Sequence, residues 1–283
     1  MLLLFCGYRN SGAGDCTEPS CLQAESDADV QHAVTAMLLE TGTELRIRVP
    51  QSAVTDPSAV IRAAAESQVL AGTMLRRAEW KRSGNILTVQ AEYSEAPETL
   101  RQEKKLLSER AADWCSGNAG EPDAVRVLLA HDMLCRSCTY SDAGPESRAA
   151  CGALLRHTAV CGGYAEAFAL LMEHAGIPVR IVTGIAQLPG GKAEPHAWNL
   201  VQLSGSWYHL DCTWDDAGDV PQHAYFLCDD EAMQQTHRWD TKKYPPAKCS
   251  GYRYEKIVSE MADCLRKDGA GYTLYNPSRD QAP

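Results

Sequence analysis

The chain has 283 residues, a formal net charge of −10 and 45% apolar residues. That length holds one large domain or a medium one with a companion, and the apolar content supports a sizeable core. The acidic balance and scattered lysines and arginines exclude a nucleic-acid binder, because nothing draws the chain to phosphates.

Residues 1–21 begin MLLLFCGYRNSGAGDC. The apolar run is too short for a membrane span and lacks the basic start of a signal peptide. Leu4-Phe5-Cys6-Gly7 before a Ser/Gly stretch looks like the end of a lipoprotein signal, which makes Cys6 a lipid-anchor candidate. Phe5 fits poorly, since a small residue is expected there, and a disordered tail is the alternative. Location follows from that choice: cytoplasmic, or extracytoplasmic as a lipoprotein.

Residues 22–97 read as a small α/β domain. Asp27 to Leu39 is helical, ELRIRVP alternates as a strand, and Asp56-Pro57-Ser58 caps a second helix running through Val69. MLRRAEWKRS and NILTVQAEYS flank Ser83-Gly84-Asn85 as a hairpin. Lacking a His, Cys or carboxylate cluster, this domain is expected to pack or to recognise.

The second domain is expected over residues 98–283. A charged helix starts at Pro97, and Pro122 opens another with Val125, Leu128, Leu129 and Met133 as its apolar stripe. Tyr140 ends that helix, and ESRAACGALLRH forms a further short one. Twelve cysteines at irregular spacing in a long apolar chain do not read as a disulfide framework. Cys135 and Cys138 form a lone CxxC without a second pair, so neither a metal nor an organic cofactor is expected.

The chemistry concentrates in residues 159–216. Cys161 precedes Tyr164, Phe168, Leu171 and Met172 at helical spacing, and Gly176 with Pro178 stops the helix. The thiol therefore sits in the first helical turn, where the dipole and unpaired N–H groups favour the thiolate. Gly162 and Gly163 read as open access to the sulfur. HAWNLVQL, starting at His196, and WYHLDCT form a hairpin around Ser204-Gly205-Ser206. With Ser204 and Gly205 at the tip, Asp211 falls opposite Trp198 and on the face that carries His196. A three-residue loop would put the two on opposite faces, and a Gly205-Ser206 tip would keep the face but set them further apart. Cys161, His196 and Asp211 then supply a nucleophile, a base and an orienting acid. Val179 to Ile185 reads as a strand, Gln187 to Pro195 as a loop, Ala224 to Cys228 as a strand, and Tyr254 to Lys267 as a terminal helix. DDEAMQQTH reads as a short helix ending at His237, without an acid partner.

The segments AVCGGYAEAF, PHAWNLV and YHLDCTWDD resemble the bacterial transglutaminase-like superfamily, over about Val125 to Trp239. The resemblance implies an α+β, papain-like catalytic domain with a nucleophile helix on an antiparallel sheet. It assigns catalysis to Cys161, His196 and Asp211, and places a tyrosine near the site, matched by Tyr140. Gly162, Tyr164, Trp198, Trp214 and Tyr140 are the substrate-binding candidates. The expected activity is acyl transfer through a thioester on a protein or peptide, as a protease or amidase. A cross-linking transglutaminase and an inactive binding module stand as alternatives.

Overall fold

The computed structural model describes residues 21–50, 52–66, 74–188, 190–216, 218, 220–249, 254 and 257. The Cys6 region, the end of the helix expected through Val69 and most of the expected terminal helix lie outside these residues. The chain divides into two compact units, Met1–Leu106 and Leu107–Pro283. Helix and sheet mix in both, and the fold is α+β.

In the first unit, a sheet is built from β1 (Leu22–Gln23), β2 (Glu44–Arg48), β3 (Leu75–Ser83) and β4 (Ile86–Tyr93) in the order β1-β2-β4-β3. Gly84 takes a left-handed φ of 57° in the turn that joins β3 to β4. Leu87, Val89, Ala91 and Tyr93 alternate inward along β4. Helix α1 (Asp27–Leu39) is capped by Ser26, whose hydroxyl accepts the Asp29 N–H at 3.2 Å. Val30, Ala33, Val34, Met37 and Leu38 form its buried face at the spacing of one helical stripe. Asp56 caps α2 (Pro57–Glu66) through the Ala59 N–H at 3.1 Å. Helix α3 (Pro97–Gly117) follows, and the division between the units falls within it.

In the second unit, α4 (Asp123–Ser137) leads to β5 (Thr139–Tyr140), which pairs in parallel with β6 (Thr158–Ala159). The buried stripe of α4 is rotated from the expected one. Leu129 and Met133 are half-buried, whereas His131, Leu134 and Cys135 join Val125 and Leu128 inside. The short helix expected between β5 and β6 is instead a 3-10 turn at Pro145–Arg148 and a π turn at Gly152–Arg156. His157 ends the π turn in the left-handed region, with φ 58°.

Helix α5 (Cys161–Ala175) begins directly after β6 and stops at Gly176, a left-handed cap with φ 73°. It packs on a four-stranded antiparallel sheet of β7 (Val179–Gln187), β8 (Ala193–Leu203), β9 (Ser206–Leu210) and β10 (His237–Trp239), in the order β10-β7-β8-β9. Tyr164, Phe168, Leu171 and Met172 on α5 are at most 1% exposed, so the helix that starts at Cys161 is anchored along its length. Each such side chain stabilises the fold by roughly 1.5–3 kcal/mol relative to exposure.

Strand β8 starts at Ala193, so the loop before His196 spans only 188–192, shorter than the expected 187–195. Ser204 and Gly205 both have positive φ, 49° and 80°, and form the two-residue turn between β8 and β9. That turn sets Leu203 against Ser206 and Asn199 against Leu210. The strand expected over Ala224–Cys228 reduces to one bridge between His209 and Cys228.

Candidate active site

Strand β9 ends at Leu210, opposite Asn199, so β8 has no β9 partner from Ala193 to Trp198. Cys161, the first residue of α5, meets β8 here. Its sulfur accepts hydrogen bonds from the Ala197 and Gly162 N–H groups and pairs with the His196 imidazole. Asn199, 1% exposed, donates its amide to the Ala165 carbonyl at 2.9 Å and ties this strand to α5. Glu166 makes a second tie, accepting the Ala150 N–H at 3.1 Å.

Asp211 caps the next helix, α6 (Cys212–Asp215), rather than continuing β9. Its Oδ1 accepts the Thr213 and Trp214 N–H groups at 2.9 and 3.2 Å. Its Oδ2 accepts from His196 Nε2 at 2.8 Å and from His237 Nε2 at 3.2 Å. With Nε2 engaged, His196 has Nδ1 left for the thiol. Asp211 is thus a shared acceptor for two backbone donors and two histidines, and it is 1% exposed. Burial pushes its carboxyl up, but the two imidazoles outweigh that and hold it down to about 2.

The same balance runs through the pair. Burial works against protonated His196, but hydrogen bonds to Asp211 and Cys161 and their charges raise it to about 9. Burial raises the Cys161 thiol, and His196 together with the two N–H groups brings it below the ordinary thiol value. The two shifts reinforce one another and both favour a thiolate–imidazolium pair.

The substrate-binding candidates separate by exposure. Tyr140 is 52% exposed, lies in register with Ala159, two residues before Cys161, and has its phenol raised by burial and then by charge at Cys161. Trp214 is half-buried and 6.0 Å from the His196 ring. Trp198 and Tyr164 are each 1% exposed, which corrects the expectation that they meet substrate. Trp198 donates to His209 Nδ1 at 2.9 Å and stacks behind His196, while the Tyr164 hydroxyl bonds to Asp216. The glycines after Cys161 also have a different cause from open access. A Cβ on Gly162 would meet the Arg148 carbonyl at 3.0 Å, and one on Gly163 would meet the Ser147 carbonyl at 2.5 Å.

His237 is the residue the sequence reading dismissed. It opens β10 instead of ending a helix, is fully buried, and has the acid partner it was expected to lack. The short helix α7 (Asp230–Met233) ends four residues earlier. His196, Asp211 and His237 also have the spacing of a metal group, as do His131, Cys135 and Cys212, and His131, Asp132 and His223. In the first group, both histidines direct Nε2 at one Asp211 oxygen, so N–H donation to the carboxylate accounts for the arrangement.

Residues 112–212 match the sequence profile of the Transglutaminase-like superfamily. This segment is similar to a transglutaminase-like core. Solved structures similar to the chain include a candidate cysteine protease from Cytophaga hutchinsonii, at 16% identity and TM-score 0.32, covering 48% of this chain and 61% of that one. A structure described as a TGase matches at 13% identity and TM-score 0.35, covering 68% and 59%. The periplasmic domain of TgpA from Pseudomonas aeruginosa, bound to ethylmercury, matches at 21% identity and TM-score 0.30, covering 46% and 55%. The chain therefore spans less than two thirds of these proteins. None of the curated proteins matches it. Within the matched segment lie Cys161, His196 and Asp211, whereas His237 falls beyond its end. Among the described residues, no helix is long and apolar enough to cross a membrane.

Proposed function

We propose that the chain is a cysteine-dependent amide hydrolase acting on peptide or side-chain amides of a protein or peptide, without a cofactor in the chemical step. The observation that carries this reading is the chain of contacts from Cys161, at a helix start, through His196 to the buried Asp211. The Cys161 thiolate attacks the carbonyl carbon, and the resulting oxyanion expels the amine as His196 delivers a proton to its nitrogen. A thioester remains. Water, deprotonated by His196, attacks that thioester and releases the carboxylic acid, and the proton passes back through His196. Tyr140 and Trp214, the exposed and half-buried rings near the thiol, are the side chains proposed to meet substrate.

The first test is the pH dependence of iodoacetamide labelling, followed at Cys161 and at the exposed Cys249 by peptide mass spectrometry. A thiol of ordinary pKa, about 8.5, is almost wholly protonated below pH 7. Cys161, with its thiol lowered and His196 raised to about 9, should still label there. Replacing His196→Ala removes the charge that offsets burial, so the labelling profile should move to higher pH. A Cys161 profile that tracks Cys249 and ignores His196→Ala would end the catalytic reading. Hydrolysis itself is read as ammonia or amine release from casein or a glutamine-bearing peptide, absent in Cys161→Ala. Predominant incorporation of labelled cadaverine would replace hydrolysis with cross-linking.

A further inference from the structure

Behind Asp211 lies a second buried cluster that the proposed reaction does not use. His131 and Cys135 sit one turn apart on α4, while Cys212 and Asp215 sit at i and i+3 on α6. All four are at most 4% exposed. The Cys135 sulfur is 3.8 Å from His131 Nε2, and Asp215 Oδ2 is 3.2 Å from that same nitrogen. A ligand atom of His131 and the sulfurs of Cys135 and Cys212 lie within 4.8 Å of one another.

Hydrogen bonding sets the polarity of the cluster. His131 Nδ1 faces Asp132 Oδ1 at 2.9 Å, and that oxygen is also 2.8 Å from His223 Nε2. An imidazole that donates from Nδ1 to Asp132 turns its Nε2 lone pair toward the Asp215 carboxylate. Two electron-rich groups at 3.2 Å require a proton, on His131 or on Asp215, or a metal ion between them. A carboxylate on the distal ring nitrogen is also the usual support of a metal-binding histidine. Both Asp215 oxygens also accept the Tyr225 N–H, at 3.0 and 3.2 Å.

We propose that His131, Cys135 and Cys212 hold a thiophilic divalent cation of the zinc class, which draws in Asp215 Oδ2, 3.2 Å from the ring nitrogen, as its fourth ligand. With metal–sulfur bonds of about 2.3 Å and metal–nitrogen bonds of about 2.05 Å, a tetrahedral angle puts sulfur and nitrogen about 3.6 Å apart and nitrogen and oxygen about 3.4 Å apart. The observed separations of 3.8 and 3.2 Å are each within about 0.2 Å of those values. Two sulfurs, one imidazole nitrogen and one carboxylate oxygen favour zinc over magnesium or calcium, which prefer six or more oxygens. Loading releases the proton of each thiol and any second proton on His131. The lone CxxC pairs Cys135 with the wrong partner. Cys138 turns its thiol to the Thr139 carbonyl, while Cys135 reaches the Cys212 carbonyl at 3.4 Å, 77 residues along the chain. A bound ion would cross-link α4 to α6 at the residue next to Asp211. The site does not depend on the hydrolase reading.

The test uses the full chain, purified under reducing conditions, stripped with a chelator and titrated with Co²⁺. One equivalent should bind with a thiolate-to-cobalt charge-transfer band in the near ultraviolet and the intense visible bands of tetrahedral cobalt, and Zn²⁺ should displace it. Cys135→Ser and Cys212→Ser should abolish the thiolate band or shift it, and Cys161→Ser should leave it intact. Asp132→Asn should weaken binding by about 10–100-fold. X-ray absorption on the zinc-loaded wild type avoids the question of whether a variant folds, and should show two sulfurs in the inner shell. No thiolate band, a shell with fewer than two sulfurs, or a band lost only in Cys161→Ser would overturn the site.

Discussion

Asp211→Asn is expected to lower amide hydrolysis by roughly 10³–10⁴-fold while leaving the fold nearly as stable as before. Asp211 offers two acceptor oxygens to four donors, Oδ1 to the first turn of α6 and Oδ2 to His196 and His237. Asparagine has one acceptor oxygen. Turned toward Thr213 and Trp214, it caps α6 about as well as aspartate does. Its amide N–H₂ then faces the two histidines, so His196 must accept at Nε2 and carry its proton on Nδ1. That tautomer cannot take a proton from Cys161. Asp211→Ala should differ by also losing the cap and stranding two buried imidazoles, at a cost of about 1–3 kcal/mol. Thermal unfolding and hydrolysis measured on both variants separate the two roles. An Asp211→Asn protein with wild-type turnover would remove Asp211 from the mechanism.

Gly184→Ala is expected to be among the most destabilising single-methyl additions in the second unit, although alanine normally suits a strand better than glycine. Gly184 is paired with His196 on β8 and with Trp239 on β10. A Cβ there would lie 2.2 Å from the Arg238 carbonyl oxygen and 2.8 Å from the Trp198 ring. Neither neighbour can yield cheaply. The carbonyl belongs to β10, and Trp198 is locked by its bond to His209 and by a core of Val182, Leu200, Met233 and Ala247. Overpacking of this kind costs about 1–3 kcal/mol. At about 2–4 °C per kcal/mol for a unit of this size, unfolding should begin several degrees earlier. Near-ultraviolet circular dichroism should show the tryptophans rearranged. Activity should fall as well, because β10 carries His237 to Asp211. An unchanged melting temperature would mean that β10 lies farther from β7 than the structure places it.

Local patterns were enough to read α1, the β3–β4 hairpin, α5 with its Gly176 cap, and the two-residue turn at Ser204-Gly205. In each, periodicity and turn chemistry agree with the tertiary fold. The register of β8 against β9 matches the Ser204-Gly205 tip, which was preferred partly because the proposed chemistry needs His196 and Asp211 on one face, and Asp211 itself leaves β9 to cap α6. What stayed hidden depends on contacts distant in sequence. His237 lies 26 residues from Asp211, and a three-residue strand gives too few positions for an alternating pattern to show. His131 drew no notice in the sequence, because its partner Asp215 is 84 residues away. Gly162 and Gly163 suggested access because their true neighbours, the carbonyls of Arg148 and Ser147, lie in a 3-10 turn that the sequence presented as helix. Trp198 and Tyr164 flank the site along the chain but stand behind it in space.

The Cys161 sulfur already has its imidazole and two N–H donors before any substrate arrives. Such a thiolate is available to every electrophile, peroxide included, and its oxidation proceeds from a reversible sulfenic acid to irreversible sulfinic and sulfonic acids. Preparations handled in air should therefore lose activity one sulfur at a time, with a 16 Da mass increase per oxygen atom appearing on the Cys161 peptide before that of Cys249. Thiol reductant should restore the early losses and not the late ones.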